Sequence, residues 1–338
     1  MSTWYNYDMN PPKCNALDYI QFLIGSPTVF SAVEAARNHP DGKEGPAHDA
    51  YTRLLYRIQS DGEALWEEAQ QLVKRKEGML VLDDSTLDKP YAQEMDLVTY
   101  HWSGKHKDVV KGINLLSLLW SDGEARVPCD FRIYDKENDG LSKNDHFRAM
   151  VRQAAARGFS PELVAFDSWY ASLENLKLLR EIEWDWLTRL KSNRLVDPDG
   201  EGNRAIRDIE IPARGRRIHL KGYGWVKVFK TVGRDGDDEY WATSRLDMTV
   251  EQRAERADIA WQIETYHRGL KQYTGIEQCQ HRKAQAQRNH IGLAIRAFLR
   301  LEAHRLRTGV SWFEAKLSVI RDAIRSYLAH PQYTLSTA

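Results

Sequence analysis

The chain has 338 residues, of which 42% are hydrophobic and 28% charged, so we expect a globular protein with room for two or three structural units. Its three cysteines are far apart, which argues against a disulfide framework or a cysteine-based zinc site and suits a reducing cytosol. No apolar run approaches about 18 residues, and the N-terminus lacks the pattern of a signal peptide, so we expect a cytoplasmic protein without a membrane span.

Helical spacing dominates the first part of the chain. Apolar residues recur at helical intervals through ALDYIQFLIG, TVFSAVEAARNH, AHDAYTRLLYRIQ and GEALWEEAQQLVKRK, which are separated by breaks containing Gly and Pro. We therefore predict a helical N-terminal region over residues 1–77.

From residue 78 the pattern predicts strands that alternate with helices. Strand character is found in GMLVLDDS, VVKGINLLSLLWS, ARVPCDFRIY, PELVAFDS and WDWLTRLKS, and helical character in HFRAMVRQAAARG and SLENLKLLREI. The order β-β-β-α-β-α-β indicates an α/β core with a mixed sheet over residues 78–194.

The pattern changes again at the turn signal Asp-Pro-Asp-Gly. Short alternating segments between turn residues predict a small antiparallel, β-rich insertion over residues 195–243. The chain then becomes helical. We expect residues 244–305 to complete the core and residues 306–338 to form a C-terminal helical tail.

Charge is unevenly distributed along the chain, although the net charge is zero. Residues 204–234 and 265–310 each carry nine Lys or Arg against two acids, whereas residues 61–100 carry ten acids against four bases. Two basic zones can bind a polyanion even in a neutral protein. Solvated helix faces would give the same counts, so both interpretations remain open at this point.

Two of the predicted buried strands end in acids: LVLDDS in Asp83 and Asp84, and LVAFDS in Asp167. A buried carboxylate is costly unless it is paired or binds a metal ion. In a mixed sheet whose first and fourth strands are neighbours, Asp84 and Asp167 would lie together. Glu264, in the helical segment IAWQIETYHRGLKQYTG, is the candidate third acid. Three carboxylates form the oxygen cage that Mg²⁺ or Mn²⁺ prefers, and two such ions promote phosphodiester displacement.

These motifs resemble those of insertion-sequence transposases of the DDE superfamily. The resemblance lies in Asp-Ser-Thr after one strand, Asp-Ser-Trp-Tyr after another and Trp-Gln-Ile-Glu-x6-Lys in a late helix, and it covers residues 78–305. It is closest to the cut-and-paste type, which has a β-rich insertion between the second Asp and the Glu. The resemblance implies a DNA transposase with an RNase H-like core and a helical N-terminal region that helps to bind transposon ends. It also implies that Asp84, Asp167 and Glu264 are catalytic and hold two Mg²⁺ or Mn²⁺ ions.

The extended family pattern Tyr-x2-Arg-x3-Glu-x6-Lys is only partly present. Glu264 and Lys271 match it, but Ala257 and Ala260 stand where the family has Tyr and Arg. The candidate substitutes are Arg256 and Arg268. The departure leaves the metal carboxylates intact and bears on the contacts with DNA ends.

The resemblance leaves open which of the two adjacent aspartates is the ligand. The pattern Asp-x-Thr favours Asp84, with Thr86 two residues later. Strand alternation sends the side chain of Asp83 to the opposite face. The aromatic pair after the second acid, Trp169 and Tyr170, is predicted to pack under the sheet, with base stacking on DNA as the alternative.

The implied partner is double-stranded DNA, both the terminal inverted repeats and the target, bound by a homodimer at the nucleoid of a prokaryotic cell. Lys271, on the same helical face as Glu264, is expected to contact phosphate near the cut. Further phosphate contacts are expected from Arg268, Arg282, Lys283, Arg288, Arg216, Arg217 and Lys221. The alternatives are a nuclease of the same fold that does not join DNA, and a non-catalytic DNA-binding descendant.

The segment YHWSGKHKDVVKG contains two histidines but no matching cysteines and no HExxH helix. We interpret it as a basic loop between strands rather than a metal site. Its Lys105 and Lys107 are candidate phosphate contacts.

Overall fold

The computed structural model describes residues 11–103, 108–135, 137–233 and 236–333. The helices of these ranges are α1 (Ala16–Gly25), α2 (Ala32–Arg37), α3 (His48–Arg57), α4 (Gly62–Ala69), α5 (Lys143–Ala156), α6 (Leu173–Glu181), α7 (Val250–Ala260), α8 (Gln262–Tyr273), α9 (Ala284–Thr308) and α10 (Trp312–Ala329). The strands are β1 (Met79–Asp88), β2 (Thr99–Ser103), β3 (Asp108–Ser121), β4 (Val127–Tyr134), β5 (Leu163–Phe166), β6 (Trp186–Leu190), β7 (Leu195–Asp197), β8 (Arg204–Ala205), β9 (Arg216–Leu220), β10 (Gly224–Val232) and β11 (Asp238–Thr243). None of the described helices is both long and apolar enough to cross a membrane.

The chain divides into two compact units. One unit comprises the chain up to Asp61, the short segment Glu94–Asp96 and the chain from Leu270, and it is helical. The other comprises Gly62–Gln93 and Leu97–Gly269 and contains all the described strands. The boundary between them falls inside α8.

The helical unit is built around α9, on which α1 and α3 pack. Gly292 of α9 lies so close to the loop after α3 that an added Cβ would be 1.9 Å from the carbonyl oxygen of Ser60. Asn289 donates its side-chain amide to the carbonyl oxygens of Leu55 and Ile58 at 2.8 and 2.7 Å. These contacts fix the end of α3 on α9.

The described strands form one mixed sheet in the order β2-β3-β1-β5-β6-β11-β10-β9-β7-β8, with β4 paired to β3. The pairs β1–β5 and β5–β6 are parallel, and the other pairs are antiparallel. A mixed sheet flanked by helices confirms the predicted α/β class, and β1 and β5 are neighbours, as the acid-ended strands required.

Two details differ from the sequence prediction. β1 does not end at its acids but continues to Asp88, because the 14-residue β3 extends the antiparallel ladder beside it. The strands of the insertion are antiparallel and continue the core sheet, because β11 pairs with β6. The helical segment after Thr249 is interrupted at Trp261, between α7 and α8. The lysines of the predicted basic loop, Lys105 and Lys107, lie outside the described residues.

Capping residues start the two helices that flank the sheet next to the acids. Ser142 caps α5 and Thr249 caps α7, and each forms a reciprocal capping box with the residue three positions later. Such boxes satisfy backbone N–H groups that a helix start would otherwise leave free.

Candidate active site

A row of side chains crosses the middle of the sheet on one face. In strand order the row is Ser117 (β3), Asp83 (β1), Asp167 (after β5), Arg189 (β6) and Trp241 (β11). Asp83 is paired with Ser117, and Arg189 with Trp241. The preceding residues Leu82, Phe166 and Thr188 are neighbours on the three parallel strands. The two aspartates therefore lie side by side at the level where β5 ends.

The two faces of the sheet can be distinguished at this level. The ring of Phe166 lies 5.1 Å from that of Phe147 in α5, so Phe166 points to the face covered by α5, called the back face. Because side chains alternate along a strand, Asp167 points to the opposite, front face. Asp83 shares this orientation because it follows Leu82, the neighbour of Phe166.

Helices α7 and α8 cover the front face. Ser117 lies against Tyr266 of α8, and the guanidinium of Arg253 in α7 lies 5.8 Å from the ring centre of Trp241. Helix α7 also packs on β1 and β5. The covering helices thus adjoin the row at both of its ends.

Helix α8 brings Glu264 towards the aspartates. Glu264 is exposed and lies two residues before Tyr266. Burial raises the pKa of Asp83 well above its ordinary value, and three nearby carboxylates raise it further. They belong to Asp84, Asp167 and Glu264. Three of the four acids, Asp83, Asp167 and Glu264, approach from the front face.

Asp84 has a different environment, on the back face. Its Oδ2 accepts hydrogen bonds from Asn114 Nδ2 and from Lys143 Nζ, both at 2.7 Å, and its Oδ1 accepts one from the Tyr170 hydroxyl at 2.5 Å. Burial by itself would raise the pKa of Asp84, but the Lys143 ammonium and these hydrogen bonds lower it. The sequence pattern favours Asp84 as the metal ligand, whereas in the structure this carboxylate forms an ion pair with the Lys143 ammonium.

Asp167 follows β5 and caps the short 3₁₀ turn Ser168–Tyr170. Its Oδ1 accepts a hydrogen bond from Arg189 Nη2 at 3.1 Å, and Arg189 Nη1 donates to Glu239 Oε1 at 2.8 Å. Burial would lower the pKa of Arg189, but the two carboxylates raise it. The arrangement places one fixed positive charge beside the acids.

The three front-face carboxylates fit a hard divalent cation by donor chemistry, because such ions prefer oxygen donors. Burial and then the neighbouring carboxylates raise the pKa of Asp83, and a bound cation would offset the repulsion between these carboxylates. In the described part of the chain, no three His, Cys, Asp or Glu side chains are already close enough to form a closed metal cage.

The two predicted DNA contacts in α8 differ in their surroundings. Lys271 Nζ forms an ion pair with Glu277 Oε1 at 3.0 Å, and both side chains are largely buried. Arg268 is exposed. Lys271, which is expected from the sequence to contact phosphate, is therefore engaged in a salt bridge. Arg256, the other candidate substitute, bonds Glu162 at the opposite end of β5 from Asp167.

Three predicted DNA contacts lie at the start of α9. Arg282 and Lys283 are exposed and Arg288 is partly buried. Arg282 forms an ion pair with Glu94 at 3.3 Å, but both side chains remain open to solvent. An exposed pair of this kind contributes little and can be exchanged for phosphate.

The remaining predicted contacts lie in the insertion. Arg216 and Arg217 line an open cavity of about 650 Å³ together with Arg214 and Lys227. Arg216 donates to the backbone carbonyls of Glu210 and Pro198, so part of its role is structural. Lys221 is exposed in the turn between β9 and β10.

The aromatic pair after Asp167 divides between the two predicted roles. Tyr170 is fully buried, which confirms packing for this residue. Trp169 is 57% exposed, and Lys191 Nζ lies 5.2 Å from its ring centre.

Three groups beside the acids are not among the residues predicted from the sequence: Arg189, Lys143 and the hydroxyl of Tyr170. The available signal for Arg189 was that it is the one charged residue in the predicted strand segment WLTRL. For Tyr170 it was the last residue of the Asp-Ser-Trp-Tyr motif, whose hydroxyl must find a partner once the ring is buried. Lys143 gave no signal, because its contact with Asp84 spans 59 residues.

Carboxylates that lie close together can hold the paired metal ions with which nucleases and polymerases displace phosphodiester bonds. Comparison with protein families finds that residues 75–300 match the model described as the transposase DDE domain. Since the match covers about two thirds of the chain, the chain belongs to this family. Family membership supports a DNA transposase function, and so an enzyme that cleaves and transfers DNA.

Among solved structures, the chain is similar to a piggyBac transposase in a synaptic complex with hairpin DNA, at a TM-score of 0.54 and 12% identity, over 99% of this chain and 76% of that one. That similarity concerns the fold. A Drosophila P element transposase strand transfer complex is matched at 10% identity over 97% of this chain and 89% of that one, with a TM-score of only 0.27. A comparison with curated proteins finds no match.

Proposed function

We propose that the protein cleaves DNA at the ends of its insertion element and transfers the freed 3′-hydroxyl into target DNA, using Asp83, Asp167 and Glu264. The observation that carries the proposal is the position of Asp83 and Asp167 side by side on the front face, beneath the helix that contains Glu264. Asp83 takes the role for which the sequence pattern had favoured Asp84, because Asp84 faces the back of the sheet.

Two Mg²⁺ or Mn²⁺ ions bound by these carboxylates would supply activation of the attacking oxygen and stabilisation of the leaving oxygen. The protein's own groups position the DNA. Arg189, fixed between Asp167 and Glu239, presents a positive charge beside the acids. Exposed Trp169, in the same turn as Asp167, is available to stack on a DNA base.

Basic residues of both units would bind DNA phosphates. Phosphate contacts come from Arg268 of α8, from the insertion and from the start of α9. The insertion residues are Arg216, Arg217 and Lys221, and those of α9 are Arg282, Lys283 and Arg288. Lys271 would contact a DNA phosphate only after its ion pair with Glu277 breaks. Such a protein would act at the nucleoid of a prokaryotic cell.

Because two element ends must be held together, we propose that the active form is a homodimer in which α10 pairs with α10 of a second copy. Apolar residues of α10 recur at alternating spacings of four and three, as in a coiled-coil seam. They are Phe313, Leu317, Ile320, Ile324 and Tyr327. Phe313 and Ile324 are each at least half exposed.

Charge complementarity favours an antiparallel pair. Glu314 lies in the first turn of α10 and Arg325 near its end, and their exposed side chains form ion pairs within the helix, with Arg321 and Asp322. In an antiparallel pair, Glu314 of one copy lies at the height of Arg325 of the other. In a parallel pair, each of these residues would lie at the height of the same residue in the other copy. Glu314→Arg or Arg325→Glu should weaken dimerisation, and the double variant should restore it. Light scattering after gel filtration measures the masses, and a parent that is monomeric with and without DNA would contradict the proposal.

The catalytic proposal is tested by cleavage of DNA that carries the element's terminal repeats, in Mn²⁺. Asp83→Asn, Asp167→Asn and Glu264→Gln should each reduce cleavage by on the order of 100-fold or more, since a metal ligand matters at least as much as the groups that orient it. Glu181→Gln, which changes an exposed acid of α6, is the matched control. Full activity in all three variants would refute the carboxylate site.

Strand transfer is tested separately with pre-cleaved ends and a target plasmid. A transposase gives joined products, whereas a nuclease of the same fold gives none. A parent that binds the terminal repeats but neither cleaves nor joins them would indicate a non-catalytic descendant, the alternative raised by Ala257 and Ala260.

A further inference from the structure

Asp84 connects β1 to the turn that follows Asp167. The link is the hydrogen bond from the Tyr170 hydroxyl to Asp84 Oδ1. Tyr170 is the last residue of the 3₁₀ turn Ser168–Tyr170, which Asp167 caps. The hydrogen bond therefore holds a residue only three positions after Asp167. The middle of β1, which carries Asp83, and the end of β5, which is followed by Asp167, are thus joined from behind.

Both residues of this hydrogen bond, Tyr170 and Asp84, are held in place by further contacts. The Tyr170 ring stacks on Phe147 of α5 with ring centres 5.6 Å apart, and the Tyr170 carbonyl oxygen accepts a hydrogen bond from Asn175 Nδ2 at 2.9 Å. On the other side, Lys143 and Asn114 occupy the second oxygen of Asp84. The network is therefore fixed by α5 and by β3 rather than only by the turn.

The same contacts make Asp84 a poor ligand. An ammonium 2.7 Å from Oδ2 neutralises its charge, and a divalent cation at the same oxygen would have to displace that ammonium. The side chain also points away from Asp167 and Glu264, which approach the sheet from the front. What remains for Asp84 is to orient its neighbours, as groups behind metal ligands do.

We propose that Asp84 is a positioning residue that holds the turn of Asp167 against β1 through Tyr170 and so sets the separation of Asp83 and Asp167. The inference rests on the proposed function, because it concerns the geometry of that same carboxylate site. It extends the site to the back face, where Tyr170 and Lys143 bind the Asp84 carboxylate.

The test is Mn²⁺ binding to the full-length protein, measured by electron paramagnetic resonance of the free ion. Asp83→Asn and Asp167→Asn should abolish tight binding. Tyr170→Phe, which removes one hydroxyl and retains the stacked ring, should raise the Kd for Mn²⁺ by on the order of 10-fold. Asp84→Asn should raise it as well without abolishing binding.

Tyr223→Phe is the matched control. Tyr223 is also buried in the sheet unit, and its hydroxyl accepts one hydrogen bond, from Trp186 Nε1 at 2.9 Å. The control should cost comparable thermal stability and leave the Kd for Mn²⁺ within about twofold. A rise in the Kd for Mn²⁺ in Tyr170→Phe but not in Tyr223→Phe would show that the hydroxyl positions the site rather than only stabilising the fold.

The outcomes are distinguishable. Equal shifts in Kd for Tyr170→Phe and Tyr223→Phe would overturn the positioning role alone. Tight binding in Asp83→Asn together with none in Asp84→Asn would make Asp84 the ligand and overturn the inference. Equal Mn²⁺ binding by the parent, Asp83→Asn and Asp167→Asn would refute the proposed metal site and the inference with it.

Discussion

Adjacent aspartates on the two faces of one strand have opposite environments. On the front face, burial and the neighbouring acids raise the pKa of Asp83. On the back face, Asp84 is bonded to Lys143, Asn114 and Tyr170, and its pKa is lowered. A carboxylate held against like charges is destabilising unless a ligand compensates it, and one with a complete set of donors is structural. Under the proposed function, the front-face acids would bind the metal ions, and the back-face contacts of Asp84 would hold the strand and the turn behind them.

The largest expected effect is the difference between substitutions of the two aspartates in the free energy of unfolding. Asp84→Ala leaves the largely buried Lys143 ammonium without its partner and should lower the free energy of unfolding by about 3 kcal/mol. Asp83→Asn removes like-charge repulsion and should leave the free energy unchanged or increase it. Urea unfolding at pH 7 measures both, and equal losses would remove the distinction between the faces.

A second back-face acid sharpens the comparison through its pH dependence. Asp130 of β4 is fully buried, and burial raises its pKa from 3.8 to about 6 despite the nearby Arg132. Between these values the folded state binds more protons than the unfolded state, so stability is lost as the pH rises through this range. The free energy of unfolding of the parent minus that of Asp130→Asn should fall by roughly 2 kcal/mol from pH 4 to pH 7. Urea titrations across this range check it, and a flat difference would contradict the raised pKa.

The smallest effect is expected on the front face. Arg189 links Asp167 and Glu239, but its side chain is 44% exposed, and ion pairs that face water contribute little. Arg189→Met should therefore change the free energy of unfolding by less than about 1 kcal/mol. A loss as large as that of Asp84→Ala, in the same urea assay, would mean that the front face is also built for stability.

Much of this molecule could be predicted from local patterns. Apolar runs ending in acids predicted β1 and β5, helical spacing predicted the segment with Glu264, and turn residues predicted an antiparallel insertion. These features depend on neighbouring residues in the chain, so a single sequence displays them. The full length of β1 was not predictable, because its last residues are strand only by pairing with β3.

The choice between Asp83 and Asp84 shows where local patterns stop. Alternation places the two side chains on opposite faces, but it does not say which face α5 covers and which α8 covers. Lys271 is a similar case, since its neighbour Glu277 lies beyond the end of α8.

By itself the sequence determined the α/β class, the order of the elements and the acids that were candidates for the site, because periodicity and strand ends are local properties. Only the tertiary structure decided that Asp83 faces Asp167 while Asp84 bonds Lys143 and Tyr170. That decision depends on the register between β1 and β5 and on which helix packs on each face. Both arise from contacts between residues dozens of positions apart, where the burial of the whole sheet, rather than any single motif, selects the pairing.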